Sequence, residues 1–464
     1  MQTAADVRTG RASAVEVVSR SLDSIHATQP ELNAFTVVLA DSAMAAARDA
    51  DARVRRGGDL PPLLGVPVSV KDHIWMTGAP ATNGSVAYRD FVPAEDCVAV
   101  ARLRAAGAVI VGKTNNPEFC YRGFTDNAVF GLTRNPWQLD RTPGGSSGGA
   151  GASVAAGSTP IALGTDGGGS IRIPASFCGV FGHKPTFGLV PKEPGFKGWK
   201  TLSVDGPLTR SVRDAALALS VLAGPASADD MTYPVPAQDY LAATRRRDLS
   251  GLRVAYSADL GFAAVDSDVR AAFGAAVARF AGLGCEPVEA HPATANPNPL
   301  WNRIALAEGY ASEGSLLARW EEQMTPGTAD IVRAGRDMPA ADYIDALHER
   351  AAFSRVWAEF FERYDLLLTP CMQLTAFEVG LLTPASIEGR PVDPFFDDWC
   401  TLVLPANLTG QPAASLPMGS GADGLPVGLQ ITGRRFDDAT VLAAAAAYER
   451  RAPWSAPPAS STPH

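Results

Sequence analysis

Two serines and one lysine stand where their types and surroundings could support nucleophilic chemistry. Lys71 follows the alternating segment 66–70, Ser146 sits in a Gly/Ser-rich stretch, and Ser170 comes directly after three glycines. A serine hydroxyl at its ordinary pKa is a poor nucleophile and needs a base. A lysine can be that base only if burial draws its pKa from about 10.4 toward neutrality. Lys71 lies between apolar Val70 and the run Asp72-His73-Ile74, which permits burial without requiring it, and a lysine at a strand end is ordinarily at the surface. Around Ser170 the chain reads Thr165-Asp166-Gly167-Gly168-Gly169-Ser170-Ile171-Arg172. Three glycines let the backbone turn through positive φ and point successive N–H groups into one concavity, the arrangement a tetrahedral oxyanion needs. Asp166 and Arg172 flank this turn and could pair to brace it; a plain surface ion pair is the alternative.

These residues can cooperate only if the elements around them end at one place. The segment Val66–Val70 reads as a strand ending at Lys71. A small-residue helix over 147–156 descends roughly 15 Å, and a strand over 161–165 climbs back by about 17 Å. Ser146 and Ser170 therefore return to the same edge of a sheet, the carboxyl end of its strands, where open α/β sheets place their sites. Lys71 reaches that edge if its strand runs parallel to the others.

The rest of the chain fits the same scheme. Ser13 and Glu16 form a capping box ahead of a helix, and further helices are predicted over 41–56, 97–106, 267–283, 300–320, 340–363 and 438–450. Strands are predicted over 108–111, 252–256, 365–369 and 425–432. This alternation implies an α/β fold: a large mixed, mostly parallel β-sheet core sandwiched by helices on both faces. One domain is expected over residues 1–455, with a catalytic core over about 60–215 and a variable helical region over about 295–365 that covers the substrate. The tail 456–464 is expected to be disordered.

Three motif matches mislead. Residues 107–114 satisfy GxxxxGK[ST], but the four middle residues, Ala108 to Val111, are the apolar strand itself rather than a loop with exposed N–H groups. The frames centred on Ser146 and Ser147 match GxSxG, yet that elbow needs a histidine base late in the chain, and His291, His348 and His464 occupy no recognisable strand-end loop. The glycine string 144–151 lacks the GxGxxG spacing and the preceding strand of a dinucleotide site.

Composition narrows the function classes. The 464 residues are 46% hydrophobic and 19% charged, with a net charge of −9 and no dense Lys/Arg run. That argues against nucleic-acid binding. With no signal-like apolar core near the N-terminus and no long apolar span, neither a membrane partner nor export is expected. The six cysteines have no CxxC pair and no companion histidine spacing, so neither disulfides nor a metal site is predicted. A cytoplasmic protein, monomer or homodimer, is the expectation.

The string GGSSGGAGASVAAG at 144–157, leading into ALGTDGGGSIRIPASFCGVFGHKPT at 162–186, resembles the amidase-signature family. The likeness extends to LNAFTVV near 32, LLGVPVSVKD at 63–72, GKTNNPEF at 112–119, FGLTRNPW at 130–137, DLLLTPC at 365–371, and PANLTGQPAASLP with GLPVGLQITGR beyond it. The resemblance implies that Ser170 is the acyl-enzyme nucleophile, that Ser146 is a bridging serine on a cis peptide after Gly145, and that Lys71 is the neutral base. It implies further that the N–H groups of Gly167, Gly168, Gly169 and Ser170 hold the oxyanion and that no cofactor is needed.

The implied substrate is a small-molecule amide: a carboxamide or a small acyl or aryl amide, with esters a further option. An acyl transferase using the same residues, or the glutaminase component of a tRNA-dependent amidotransferase, are the alternatives. In that glutaminase branch the stretch after Asn116 usually carries small residues and methionine, whereas here it holds Tyr121, Arg122 and Phe124, next to Thr125. A carboxylate for the glutamine amino group would fall at Cys400, although Arg350 could still take the α-carboxylate. Phe396, Trp399 and Trp301 are further candidates for a pocket wall.

Overall fold

The computed structural model describes residues 2–393, 398–455 and 457. Its centre is an eleven-stranded sheet: β1 (Phe35–Val38), β2 (Pro67–Lys71), β3 (Val109–Thr114), β4 (Ile161–Asp166), β5 (Phe181–Lys184), β6 (Val204–Thr209), β7 (Val254–Tyr256), β8 (Val288–Glu289), β9 (Leu366–Pro370), β10 (Ala413–Ser420) and β11 (Pro426–Gly433). They lie in the order β1-β3-β2-β4-β6-β5-β10-β11-β9-β7-β8. The order departs from chain order because helical crossovers carry the chain over the sheet between strands.

Alternation along β3 shows how both faces are covered. Val109 and Val111 pack with the helices Ala14–Leu32 and Ala40–Arg56. Ile110, pointing the other way, joins the core built on the helices Val98–Ala105 and Val212–Leu222. A period of two with both phases apolar marks a strand buried on both sides. The first helix starts as expected, with Ser13 accepting from the Glu16 N–H and Glu16 reaching back to the Ser13 N–H.

The sheet is mixed, with a smaller parallel share than expected. β2 pairs in parallel with β3 and β4, and β7 with β8 and β9. The remaining pairings described are antiparallel, including β4–β6, β5–β6, β10–β5, β10–β11 and β11–β9. Only residues 421–425 separate β10 from β11, too few for the crossover that a parallel pair demands. Strands β1, β5, β6 and β10 lie outside the sequence-based expectation, and the last three each hold a residue that weakens a strand pattern: Gly182, Pro207 or Pro417. β3 runs on through Lys113 and Thr114, in register with β2, and buried Lys113 donates to the Ile74 carbonyl at 2.7 Å. The GxxxxGK segment is thus sheet, not a phosphate cradle.

The region expected to be helical holds the helices Asn298–Glu313 and Ala340–Arg363 with the short helices Leu317–Trp320 and Thr328–Ala334 between them. The tail residues 456 and 458–464, and Phe396 among the candidate pocket residues, lie outside the described residues.

Candidate active site

The parallel pairing of β2 with β4 ends both strands at the carboxyl edge, where the Lys71 side chain reaches Thr165. Ser146 sits just ahead of the helix Gly148–Ala155, on a cis peptide after Gly145. Lys71 Nζ donates to Ser146 Oγ at 2.6 Å and to Thr165 Oγ1 at 2.8 Å. The ammonium is fully buried, and burial drives its pKa below the lysine range against opposing pulls from Cys120, Asp205 and Asp166.

The Ser146 segment is fixed from several directions. A Cβ on Gly145 would lie 2.4 Å from the Phe124 carbonyl oxygen, so only glycine permits this approach. Thr125 Oγ1 donates to Gly144 O, Ser147 Oγ donates to Thr165 O, and the Ser147 N–H donates to Ser170 O at 3.2 Å. That last bond ties the two serine segments together. Ser147 is buried, so the elbow frame centred on it presents no nucleophile to solvent.

The glycine turn is organised by Asp166. Its carboxylate accepts from the N–H groups of Gly169, Ile171 and Arg172 and from the Arg172 guanidinium at 2.9 Å on both oxygens. Arg172 also donates to Val403 O, Gln430 Oε1 and Asn407 Oδ1. Burial alone would raise Asp166, but Arg172 holds it well below the carboxylate range. The pair is therefore a buried brace rather than a surface contact. The Gly169 N–H is thus bound to Asp166, whereas Gly168 and Ser170 line the cavity. Gly169, at φ 100°, serves the turn instead.

Ser170 lines a cavity with Gly168, Cys120 and Tyr121. Tyr121 stacks on Trp199 at 5.2 Å, Trp199 meets Trp301 edge-on, and Trp301 Nε1 donates to Gly167 O at 3.0 Å. Asn298, Asn302 and Arg122 add polar groups to a wall otherwise made by Ile173, Cys400 and Leu404.

Residues 16–442 match the Amidase family. The chain belongs to that family. It is 39% identical to a glutamyl-tRNA(Gln) amidotransferase component of Roseiflexus castenholzii, over 96% of this chain and 94% of that one. It is 37% identical to an acylamidase of Rhodococcus erythropolis, over 98% and 95%. Among solved structures, a bacterial aryl acylamidase of the amidase-signature family superposes with a TM-score of 0.91 at 32% identity, covering 97% of this chain and 95% of that one. This amidase is an enzyme acting on the C–N bond of amides. Among the described residues no helix is long and apolar enough to cross a membrane.

Of the pocket residues expected for this amidase, Tyr121, Arg122, Trp301 and Cys400 line the cavity. Trp399 does not: it is fully buried behind Gly123, against Phe177 and Phe377. Thr125 braces Gly144, and Phe124 lines a separate depression near Thr325 and Leu381. Arg350 is also displaced from the cavity, because Leu408 O and Thr201 occupy its guanidinium. Thr165, Cys120, Trp199, Asn298 and Asn302 were not among the expected site residues. Alternation did not announce Thr165: the register sets Val70 against Leu163 and so carries Lys71 level with Gly164, one residue short of Thr165. Trp199 lies in a loop with no periodicity and carried no signal either.

Proposed function

We propose that this amidase hydrolyses small acyl or aryl amides through an acyl-enzyme on Ser170, with Ser146 and Lys71 moving the proton. The observation that carries this is the hydrogen bond from buried Lys71 to Ser146 beside the cavity that Ser170 lines. A neutral Lys71 keeps its donation to Thr165 and turns its lone pair to the Ser146 hydroxyl. Ser146 passes its proton to Lys71 as it takes the proton of Ser170, whose oxygen attacks the amide carbonyl. The oxyanion is held by the N–H groups of Gly167, Gly168 and Ser170. As the C–N bond breaks, Ser146 protonates the leaving amine and recovers a proton from Lys71. Water then follows the same proton path and releases the acid. Ser170 hydrogen-bonds no other described side chain, so it is free to meet Ser146 when substrate arrives; such contacts tighten in the Michaelis complex.

The wall of Tyr121, Trp199 and Trp301 favours a flat or aromatic substrate group. The acylamidase relatives agree with that reading. Recognition of free glutamine is less well supported, because Arg350 is engaged elsewhere and Cys400 offers no charge to an amino group. A panel of anilides, aliphatic carboxamides and glutamine, run with and without hydroxylamine, tests this. Anilides should turn over fastest, and hydroxylamine should divert the acyl group to a hydroxamate. Turnover of glutamine alone would overturn the substrate assignment.

A further inference from the structure

One face of the helix Asn298–Glu313 walls the cavity. Asn298, Trp301 and Asn302 stand at the i, i+3 and i+4 spacing that shares a helix face, and all three line the cavity with Ser170. The Trp301 indole holds the helix to the glycine turn through Gly167 O. Two turns beyond Asn302, Gly309 leaves room for the Tyr121 hydroxyl, since a Cβ there would stand 2.7 Å from it. These contacts fix the helix over Ser170.

The Asn302 amide can take only one sense. Its Nδ2 donates to the Asn298 backbone carbonyl at 3.1 Å and to Asn298 Oδ1 at 2.7 Å. Exchanging its nitrogen and oxygen would set Oδ1 against two acceptors. Asn298 cannot turn its own amide to relieve this, because its Nδ2 donates at 2.7 Å to Asp398 Oδ1, a carboxylate oxygen that only accepts. Asn302 Oδ1 therefore faces away from the preceding turn of its helix. The residue is 8% exposed, and among the described residues nothing donates to that oxygen. Nearby, the Tyr121 hydroxyl is already spent on Glu313. An acceptor enclosed in this way gains most from a donor that the ligand itself brings.

We propose that Asn302 is a specificity-determining residue whose Oδ1 accepts a hydrogen bond from the substrate, so that this amidase prefers aryl amides whose ring carries a hydroxyl or N–H donor. This rests on the reading of the cavity at Ser170 as a site for aryl amides. The wall of Tyr121, Trp199 and Trp301 takes the ring, and the Asn302 carbonyl takes its donor. A methyl group in the donor's place leaves the carbonyl unmet, so discrimination comes from the hydrogen bond rather than from size.

The test compares matched acetanilides and benzamides that carry a hydroxyl or a methyl group, near-equal in size, at the meta or para ring position. In wild type at least one hydroxyl member should exceed its methyl partner by about tenfold in kcat/KM, the difference falling on KM. Asn302→Leu and Asn302→Ala should each bring that ratio to about one or reverse it. A general loosening of the wall would slow both members alike and leave the ratio where it was. Calorimetric titration of the same pairs into Ser170→Ala should show the same preference in Kd. Methyl members favoured throughout in wild type, or a hydroxyl preference kept in both Asn302 variants, overturns the proposal. The titration needs no turnover, so it reads the Asn302 acceptor even if Ser170 proves not to carry the acyl group.

Discussion

Arg172 and Lys71 are both fully buried cations, on either side of the turn that follows β4, but their surroundings differ in kind. Arg172 has a carboxylate, two amide oxygens and a backbone carbonyl, so its charge is neutralised and its geometry locked. Lys71 donates to two neutral hydroxyls, and burial pushes its charge off. The first arrangement makes a rigid frame; the second suits the base that we propose for Lys71. Burial alone does not mark a catalytic lysine: Lys113 is drawn to about 8 and Lys184 to about 7 while donating to backbone carbonyls. What distinguishes Lys71 is the hydroxyl at the end of its hydrogen bond.

Substitutions on the two sides should therefore fail differently. Lys71→Ala should lower kcat/KM on an amide by about 10³-fold or more with Tm unchanged or raised, because no charge is stranded. In wild type, activity should fall as pH drops through the Lys71 pKa, since protonation removes the base, and this limb should lie below the usual lysine range. A large fall in Tm without loss of rate would reverse the roles assigned to the two cations.

Arg172→Met should instead cost about 3–5 kcal/mol in denaturant unfolding, because Asp166 is left buried and uncompensated. An unfolding midpoint equal to wild type would mean that the brace does not hold the turn.

The smallest effect is expected at the cavity's far wall, where Tyr121 donates to buried Glu313. Burial raises Glu313 from 4.5 to about 7, against the pull of Ser312 and Tyr121. A raised carboxyl contributes stability that is full below its unfolded pKa and is lost as pH rises through the folded one. Tm should thus decline between about pH 4.5 and 7 in wild type, and Glu313→Gln should flatten that decline. Parallel curves for the two proteins would show that Glu313 does not titrate in this window.

Local signals carried much of this arrangement. The Ser13–Glu16 box, the alternation ending at Lys71 and the small-residue helix before β4 each depend on neighbours in the chain, and each could be read there. The return of Ser146 and Ser170 to one sheet edge followed from counting the lengths of those elements, and Lys71 joined them only on the condition that its strand runs parallel. The division of labour between the serines came from family resemblance, not from spacing. Arg350 and Trp399 were misplaced because the direction a side chain faces depends on a partner far away in sequence: Leu408 and Thr201 for one, Phe177 and Phe377 for the other. Cys120 went unassigned because its placement depends on a left-handed turn that no periodicity announces.

The central claim is that Ser170, not Ser146, carries the acyl group. Wild type, Ser170→Ala and Ser146→Ala should be treated with a fluorophosphonate probe, and the modified residue located by mass spectrometry of the digested protein. The account predicts a single adduct on Ser170 in wild type, none in Ser170→Ala, and slowed labelling still on Ser170 in Ser146→Ala. An adduct on Ser146 that persists when Ser170 is replaced would contradict it.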